Sequence, residues 1–115
     1  MLRKEHPLIG TSMNNLAAML SRAGKYKEAE DLHRQALVLC HSDAAKFTSV
    51  SNLAAVLGKQ GRYEESEQLF RQAVKLAVDV MGREHGMTQS VKRDLAGVLT
   101  KQGMYAEAEE VLRRI

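Results

Sequence analysis

The sequence predicts an all-α solenoid of three helical hairpins, because the same block of residues occurs three times along the chain. The tripeptide Asn-Leu-Ala at 15–17 returns unchanged at 52–54. A glycine followed two residues later by a tyrosine marks each copy, at Gly24, Gly61 and Gly103, with spacings of 37 and 42 residues. Repeats of about 20–50 residues are typical of chains in which similar units stack side by side. Such a stack presents an extended surface rather than one enclosed pocket.

Each repeat contains two stretches whose apolar residues fall at helical spacing. In the first unit, the stretch before the glycine carries Met13, Leu16, Ala17 and Leu20. The stretch after it carries Tyr26, Ala29, Leu32, His33, Ala36 and Leu37. Residues three or four apart lie on one face of an α-helix, so each stretch predicts one amphipathic helix. Glycine ends the first helix, because it adopts the left-handed backbone conformation of a helix cap without steric cost.

The same spacing along the whole chain predicts six helices. They are expected at residues 8–22, 26–40, 44–59, 63–81, 87–101 and 105–114, in units of about 8–40, 44–81 and 87–115. A β-sheet is a weak alternative, because no stretch alternates strictly between apolar and polar residues. Neither helix of a unit can bury its apolar stripe alone, so each unit must stack on the next.

The phase of the stripes predicts which side chains are buried. We expect the stripe leucines to be largely buried, namely Leu16, Leu20, Leu32, Leu53, Leu57, Leu69, Leu95 and Leu99. By contrast, Glu30, Glu67 and Glu109 are expected on the exposed side, each four residues before an arginine. An i,i+4 pair of this kind adds only about 0.2–0.5 kcal/mol to a helix. The sequence predicts no further role for these three glutamates.

Two motifs in this pattern resemble the tetratricopeptide repeat. Leu-Ala-x-x-Leu at 16–20 is followed by Gly-x-Tyr-x-x-Ala at 24–29, and both recur in the later units, with Ser66 in place of the alanine in the second unit. The segments Lys-Glu-His-Pro at 4–7 and Arg-Glu-His-Gly at 83–86 look like the connector of a longer variety. That variety occurs in kinesin light chains and in fungal and bacterial NOD-like proteins. The sequence of this chain is most similar to the fungal arrays. The resemblance implies a right-handed solenoid.

The chain departs from the repeat pattern at several positions. The connector between the first two units lacks the Glu-His-Pro segment, which explains the shorter spacing. Lys92 stands where the earlier units have Met13 and Val50, and Asp94 stands where they have asparagine. Ile115 stands where the other two units have Ala36 and Ala73, so the last helix is expected to end early. We therefore expect a segment of a longer array or a short paralogue.

Composition favours an intracellular, cytoplasmic protein without a membrane span or a nucleic-acid partner. The formal net charge is +3 with a pI near 9.2, and the basic residues are spread along the chain rather than clustered. The chain has no tryptophan and two phenylalanines, so it lacks the aromatic side chains on which bases stack. Its apolar runs are too short for a transmembrane helix. A single cysteine, Cys40, excludes an internal disulfide.

The sequence contains no pattern that predicts catalysis, a metal or a cofactor. His6, His33, His41 and His85 have no second ligand at helical spacing. A tetrahedral metal site needs three or four clustered ligands. Cys40 beside His41 lacks a third group that would orient a nucleophile. No Gly-x-x-x-x-Gly-Lys motif is present to bind phosphate. We expect no enzyme activity.

The resemblance implies that the first helix of each unit lines a concave groove. Carried over in register, the expected peptide-binding residues are Asn14, Asn15, Arg22, Ser51, Asn52, Lys59, Arg93, Asp94 and Lys101. Asparagine offers a donor and an acceptor to a peptide backbone, and the basic residues would attract carboxylates. Polar residues also appear on any helix face in water, so the set alone does not require a ligand.

Two functions follow from this resemblance. In the first, the chain is an interaction scaffold that binds an extended acidic segment of a protein partner in the groove. In the alternative, it is a structural module that self-associates through its ends. Apolar residues remain in the stripes of the end helices, namely Leu8, Ile9, Met13, Val111 and Leu112. Exposed apolar ends on stacked units favour association between copies.

Overall fold

The computed structural model describes residues 7–40 and 42–113, with side chains from residue 12 onward. The described part is all-α, and its helices are α1 (Pro7–Arg22), α2 (Tyr26–Val38), α3 (Asp43–Lys59), α4 (Tyr63–Met81), α5 (Gly86–Lys101) and α6 (Tyr105–Arg113). Every helix begins and ends within two residues of its predicted limit. The predictions for Leu8, Ile9 and Ile115 lie outside the described side chains. The expected three hairpins are therefore confirmed.

Glycine ends the first helix of each hairpin, as the sequence predicts. Gly24, Gly61 and Gly103 have φ angles of +83°, +80° and +81°. In the first unit, the Lys25 N–H donates to the carbonyl of Leu20 at 2.8 Å, and the Gly24 N–H donates to that of Ser21 at 3.0 Å. These two bonds are a Schellman motif, which satisfies the last carbonyls of the helix. The same pair of bonds occurs in the other two units.

Small residues let the two helices of each hairpin pack closely. The alanines of the first helices are buried, and so are their partners on the second helices; the six residues are Ala17, Ala54, Ala96, Ala29, Ser66 and Ala108. In the second unit, the Ser66 hydroxyl also donates to the Ala54 carbonyl at 2.6 Å. A serine thus replaces alanine without leaving a buried polar group unpaired.

The three hairpins stack so that their first helices form one side of the array. Helix α1 contacts α3, and α3 contacts α5, whereas the second helices make no such contacts among the described residues. We call the side formed by α1, α3 and α5 the inner face. The array measures 50 × 31 × 17 Å.

The burial predictions are correct for the four leucines of α3 and α5 and wrong for Leu16 in α1. Leu53, Leu57, Leu95 and Leu99 are at most 3 % exposed. Leu16 is 49 % exposed, although it occupies the same repeat position as Leu53. Helix α3 contacts both the preceding helix α2 and the following helix α4, whereas α1 contacts α2 and α3 among the described helices. The remaining leucines, Leu20, Leu32 and Leu69, are half-buried.

The prediction that the repeated glutamates are exposed is wrong for Glu30 and Glu67. The side chain of Glu30 is 2 % exposed, that of Glu67 is 15 % exposed, and that of Glu109 is 71 % exposed. All three pair with the expected arginine. In addition, Glu30 accepts from Gln60 at 3.0 Å, and Glu67 accepts from Gln102 at 2.8 Å. Each buried glutamate therefore also bonds to the next unit.

Candidate functional site

The inner face contains a cavity of about 170 Å³ between α3 and α5. Its walls combine apolar side chains with short polar ones; they are Phe47, Thr48, Ser51 and Asn52 from α3, and Met87, Ser90, Val91 and Asp94 from α5. The turn between α4 and α5 sets this arrangement, because the Thr88 hydroxyl donates to the Gly82 carbonyl at 2.8 Å. The cavity lies where two successive units meet.

The structure brings three of the sequence-predicted site residues together at this cavity. Ser51, Asn52 and Asp94 all line it. Asn15 occupies the same repeat position as Asn52 and is exposed on α1. The lining residues that are not among the nine expected ones are Phe47, Thr48, Met87, Ser90 and Val91. The sequence assigned Phe47 and Val91 to no groove position, because an apolar residue in a helical stripe is read as core.

Asn14 is hydrogen-bonded inside the array, and its role in a groove stays a prediction. Its Nδ2 donates to the Ser49 hydroxyl at 3.1 Å, and its Oδ1 lies 2.8 Å from Nδ1 of His33. Because Oδ1 is an acceptor, Nδ1 of the histidine carries the hydrogen. Ser49 in turn contacts the Cys40 thiol at 3.2 Å. This chain of polar groups joins the first unit to the second and leaves the Asn14 amide with little capacity for a ligand.

Burial shifts the pKa of two ionisable side chains on or near these helices. His33 is buried, and this burial lowers the pKa of its imidazole below the ordinary value. The neutral ring is consistent with its bond to Asn14. Burial in the inner face raises the pKa of the Asp94 carboxyl above the ordinary value. In both cases the charged form loses contact with water.

The four predicted cations on the inner face are all exposed. They are Arg22, Lys59, Arg93 and Lys101. Lys59 also reaches back across the unit boundary, with its ammonium 5.9 Å from the centre of the Tyr26 ring. Cations at this distance are attracted to an aromatic face. The inner face therefore combines exposed basic side chains with the partly desolvated carboxylate of Asp94 at the cavity.

Neither a metal site nor a membrane-spanning helix is found in the described residues. No three His, Cys, Asp or Glu side chains come close enough together to hold a metal ion in residues 7–40 and 42–113. No helix in that part of the chain has the length and apolar character needed to cross a bilayer. The three stacked hairpins are built periodically, and this construction defines a class of protein, the helical-repeat scaffolds.

Sequence comparison identifies the family within this class. The tetratricopeptide repeat profile matches residues 46–115, and a second tetratricopeptide repeat profile matches residues 9–41. The chain belongs to the tetratricopeptide repeat family. None of the curated proteins matches it.

Solved structures of this fold are similar over nearly the whole chain. A Podosopora anserina protein described as a kinesin light chain with nearly identical TPR-like repeats matches with a TM-score of 0.84 and 25 % identity. That match covers 98 % of this chain and 56 % of the fungal chain, so this chain spans about half of that relative. The TPR domain of Arabidopsis FLU matches with a TM-score of 0.81 and 20 % identity, over 95 % of this chain and 91 % of that one.

A third solved structure has a similar fold. BtubC (BKLC) from P. vanneervenii matches with a TM-score of 0.77 and 20 % identity, over 92 % of this chain and 45 % of that chain. Family and fold together make the chain a protein-interaction scaffold. Repeats of this family typically act as scaffolds rather than enzymes.

Proposed function

We propose that the inner face binds an extended, acidic segment of a partner protein. The observation that carries this proposal is the cavity between α3 and α5, because the helices that line it also carry the exposed cations Lys59, Arg93 and Lys101. Asn15 and Asn52 would bond to the backbone of the segment, since each amide offers a donor and an acceptor. Lys59, Arg93 and Lys101 would attract its carboxylates. Asn14 is not part of this proposal, because its amide is bonded within the array.

A displayed library of random peptides tests this function. An extended chain spans about 3.3 Å per residue, so about 15 residues cover the 50 Å length of the array. We expect selection on the chain to enrich sequences containing Asp and Glu. The selected peptides should then compete with one another for one site, which fluorescence anisotropy measures. Enrichment of basic sequences would contradict the proposed charge preference.

Reversing two cations should weaken the selected peptides. For Lys59→Glu combined with Arg93→Glu, we expect roughly tenfold weaker binding at low salt, because exposed ion pairs contribute about 0.2–1 kcal/mol each. The loss should shrink at high salt, where exposed charges are screened. The control, Lys75→Glu with Arg113→Glu, changes the net charge equally on the second helices. Equal affinity of the wild type and the inner-face variant at both salt concentrations would refute the electrostatic part.

Self-association through the array ends is a second candidate function, favoured by the exposure of repeat-equivalent residues. Met19 is 63 % exposed, whereas Val56 at the same position of the second unit is 3 % exposed. At the other end Leu112 is 46 % exposed, whereas its equivalent Phe70 is 4 % exposed. The start of one copy can therefore dock on the end of another as successive units dock inside one chain. This contact is heterologous and does not close on itself.

Sedimentation over a wide range of protein concentration tests the second candidate. We expect association below about 1 mM, a concentration at which a contact worth about 4 kcal/mol is half-formed. Leu16→Glu with Met19→Lys should reduce it, because both side chains lie on the exposed side of α1. Lys59→Glu with Arg93→Glu should leave it unchanged. A wild-type chain that stays monomeric over the whole range would rule out this function.

A further inference from the structure

The cavity between α3 and α5 carries a charge that differs from the rest of the inner face. Asp94 is the one ionisable residue among the described residues that line it. The equivalent positions in the first two units hold Asn15 and Asn52, which are neutral. The exposed cations Lys59 and Arg93 do not line the cavity. The third unit therefore places a negative charge at the cavity, where the first two units have a neutral amide.

No cation of the described chain neutralises this carboxylate. Asp94 has no ion pair with any residue of 7–40 or 42–113, and desolvation alone accounts for the higher pKa of its carboxyl. A nearby cation would have the opposite effect, because opposite charge favours the ionised form of an acid. The carboxylate is thus partly desolvated without compensation from the protein. A cation that enters the cavity would supply that compensation.

The other polar groups at the cavity are able to accept hydrogen bonds. The Oγ of Ser51 is buried and has no hydrogen-bond partner among the described residues. The Thr48 hydroxyl donates to the Ala44 carbonyl at 3.3 Å, which leaves its oxygen lone pairs available. A buried polar group in a native protein is normally paired. An entering group with several donors would therefore satisfy this wall of the cavity better than a group with one.

The apolar walls of the cavity restrict what can enter it. Phe47 and Val91 form a buried floor, and Met87 lies exposed at the rim. These side chains suit an aliphatic stem, because long charged side chains bury their methylene groups on apolar surface.

We propose that the cavity receives one arginine side chain of the bound segment, with its guanidinium on the carboxylate of Asp94 and its stem against Phe47 and Met87. Arginine fits better than lysine, because its planar fork presents five donors and bonds a carboxylate in a bidentate manner. This inference rests on the proposed function, in which the inner face binds an extended segment. The preferred segment is then acidic overall and contains one arginine that sets its register.

Four synthetic peptides test this assignment. They share an extended Ser- and Glu-containing sequence of about 15 residues and differ at one central position, which is arginine, lysine, leucine or citrulline. Citrulline has the shape of arginine without its charge. We expect the arginine peptide to bind roughly tenfold more tightly than the citrulline peptide in fluorescence anisotropy. On Asp94→Asn this difference should disappear, whereas Glu110→Gln, which removes a negative charge outside the cavity, should preserve it.

Each alternative outcome overturns a stated part of the proposal. Equal binding of the arginine and citrulline peptides would show that the cavity does not select a cation. A lysine peptide as tight as the arginine peptide would overturn the assignment to guanidinium. A leucine peptide that binds most tightly, with no effect of Asp94→Asn, would make the cavity an apolar site. The variant should fold, because asparagine occupies this position in the first two units.

A second measurement separates this proposal from the function on which it rests. If none of the four peptides binds, the proposed groove function fails. The cavity is then tested alone by titrating the chain with arginine whose termini are blocked as neutral amides. We expect amide chemical-shift changes in NMR spectra at Ser51, Asn52 and Asp94, with no such changes for blocked citrulline or for Asp94→Asn. Identical spectra with blocked arginine and blocked citrulline would refute the cation site itself.

Discussion

Replacing Leu53 with alanine should lower the free energy of unfolding by about 2–5 kcal/mol, as truncation of a buried leucine does. Leu53 is 1 % exposed in the middle unit, so the lost methyl groups leave a cavity between packed helices. Leu16 provides a matched control at the same position of the first unit. Because Leu16 is 49 % exposed, Leu16→Ala should cost less than about 1 kcal/mol.

Urea denaturation followed by circular dichroism measures both variants. The midpoint should fall strongly for Leu53→Ala and slightly for Leu16→Ala, with similar slopes if both unfold the same surface. A repeat array can unfold unit by unit, so a probe confined to the last unit, such as hydrogen exchange of the α6 amides, serves as a check on cooperativity. A loss below about 0.5 kcal/mol for Leu53→Ala would show that the middle unit is not packed as the structure describes.

The helices could be predicted closely from the sequence, because their ends depend on local chemistry. Gly24, Gly61 and Gly103 take up positive φ angles, and each determines where one helix stops. The apolar stripes of α3 and α5 are also buried as predicted, since each of these helices has a hairpin before it and a helix after it. The residues around each helix end therefore suffice to predict where that helix stops.

The exposure of Leu16 could not be predicted in the same way. Its repeat position is buried in the other two units, and a repeat pattern records the residue type but not the presence of a neighbouring hairpin. The structure shows that the start of α1 has an uncovered side. The wrong prediction for Leu16 therefore concerns contacts between units. Comparing the sequences of the units with one another gives no information on such contacts.

The candidate site was predicted in part. Ser51, Asn52 and Asp94 come together at one cavity, as their shared register on α3 and α5 implies. Asn14 shares the register of Ser51 but is bonded to Ser49 and His33 instead. The unit in which Asn14 lies has a polar residue, His33, where the next unit has Phe70. A polar residue in an apolar stripe was the available signal that a nearby amide would be used internally.

The bonds between units also left a signal in the sequence. Gln60 and Gln102 each precede the glycine that ends a first helix, whereas the first unit has Ala23 there. The two glutamines donate to Glu30 and Glu67 of the preceding unit. The i,i+4 rule considers one helix at a time, so it identified the glutamate–arginine pairs and could not identify these donors.

Removing Glu30 should therefore destabilise the array far more than the loss of an exposed ion pair on a helix surface would. Its carboxylate is 2 % exposed and accepts from Arg34, Gln60 and Arg62, at 2.8 Å in the case of Arg62. We expect Glu30→Ala to cost about 2 kcal/mol, below the 3–5 kcal/mol of a fully buried pair, because both arginines stay partly hydrated after the change. Glu109→Ala removes a pair exposed on both sides and should cost less than about 0.5 kcal/mol.

The pH dependence of stability supplies an independent check on the same contact. Burial would raise the pKa of Glu30, but the hydrogen bonds from Gln60 and Arg34 and the charges of Arg62 and Arg34 outweigh burial and lower it below its ordinary value of 4.5. A lowered carboxyl pKa means that the unfolded chain binds the proton more tightly. The contribution of Glu30 is then complete above pH 4.5 and is lost as the pH falls through the lowered pKa.

Comparing the wild type with Glu30→Gln by urea denaturation over this pH range isolates the effect of the charge. The stability difference should be constant at neutral pH and should diminish under acid conditions, where protonation gives the wild-type side chain the neutral charge of glutamine. Glu109→Gln should show little difference from the wild type at any pH, because its exposed pair is solvated in both states. Equal costs for Glu30→Ala and Glu109→Ala at neutral pH would mean that the bonds from Gln60 and Arg62 do not stabilise the stack. Unit-to-unit cohesion at this boundary would then depend on apolar packing alone.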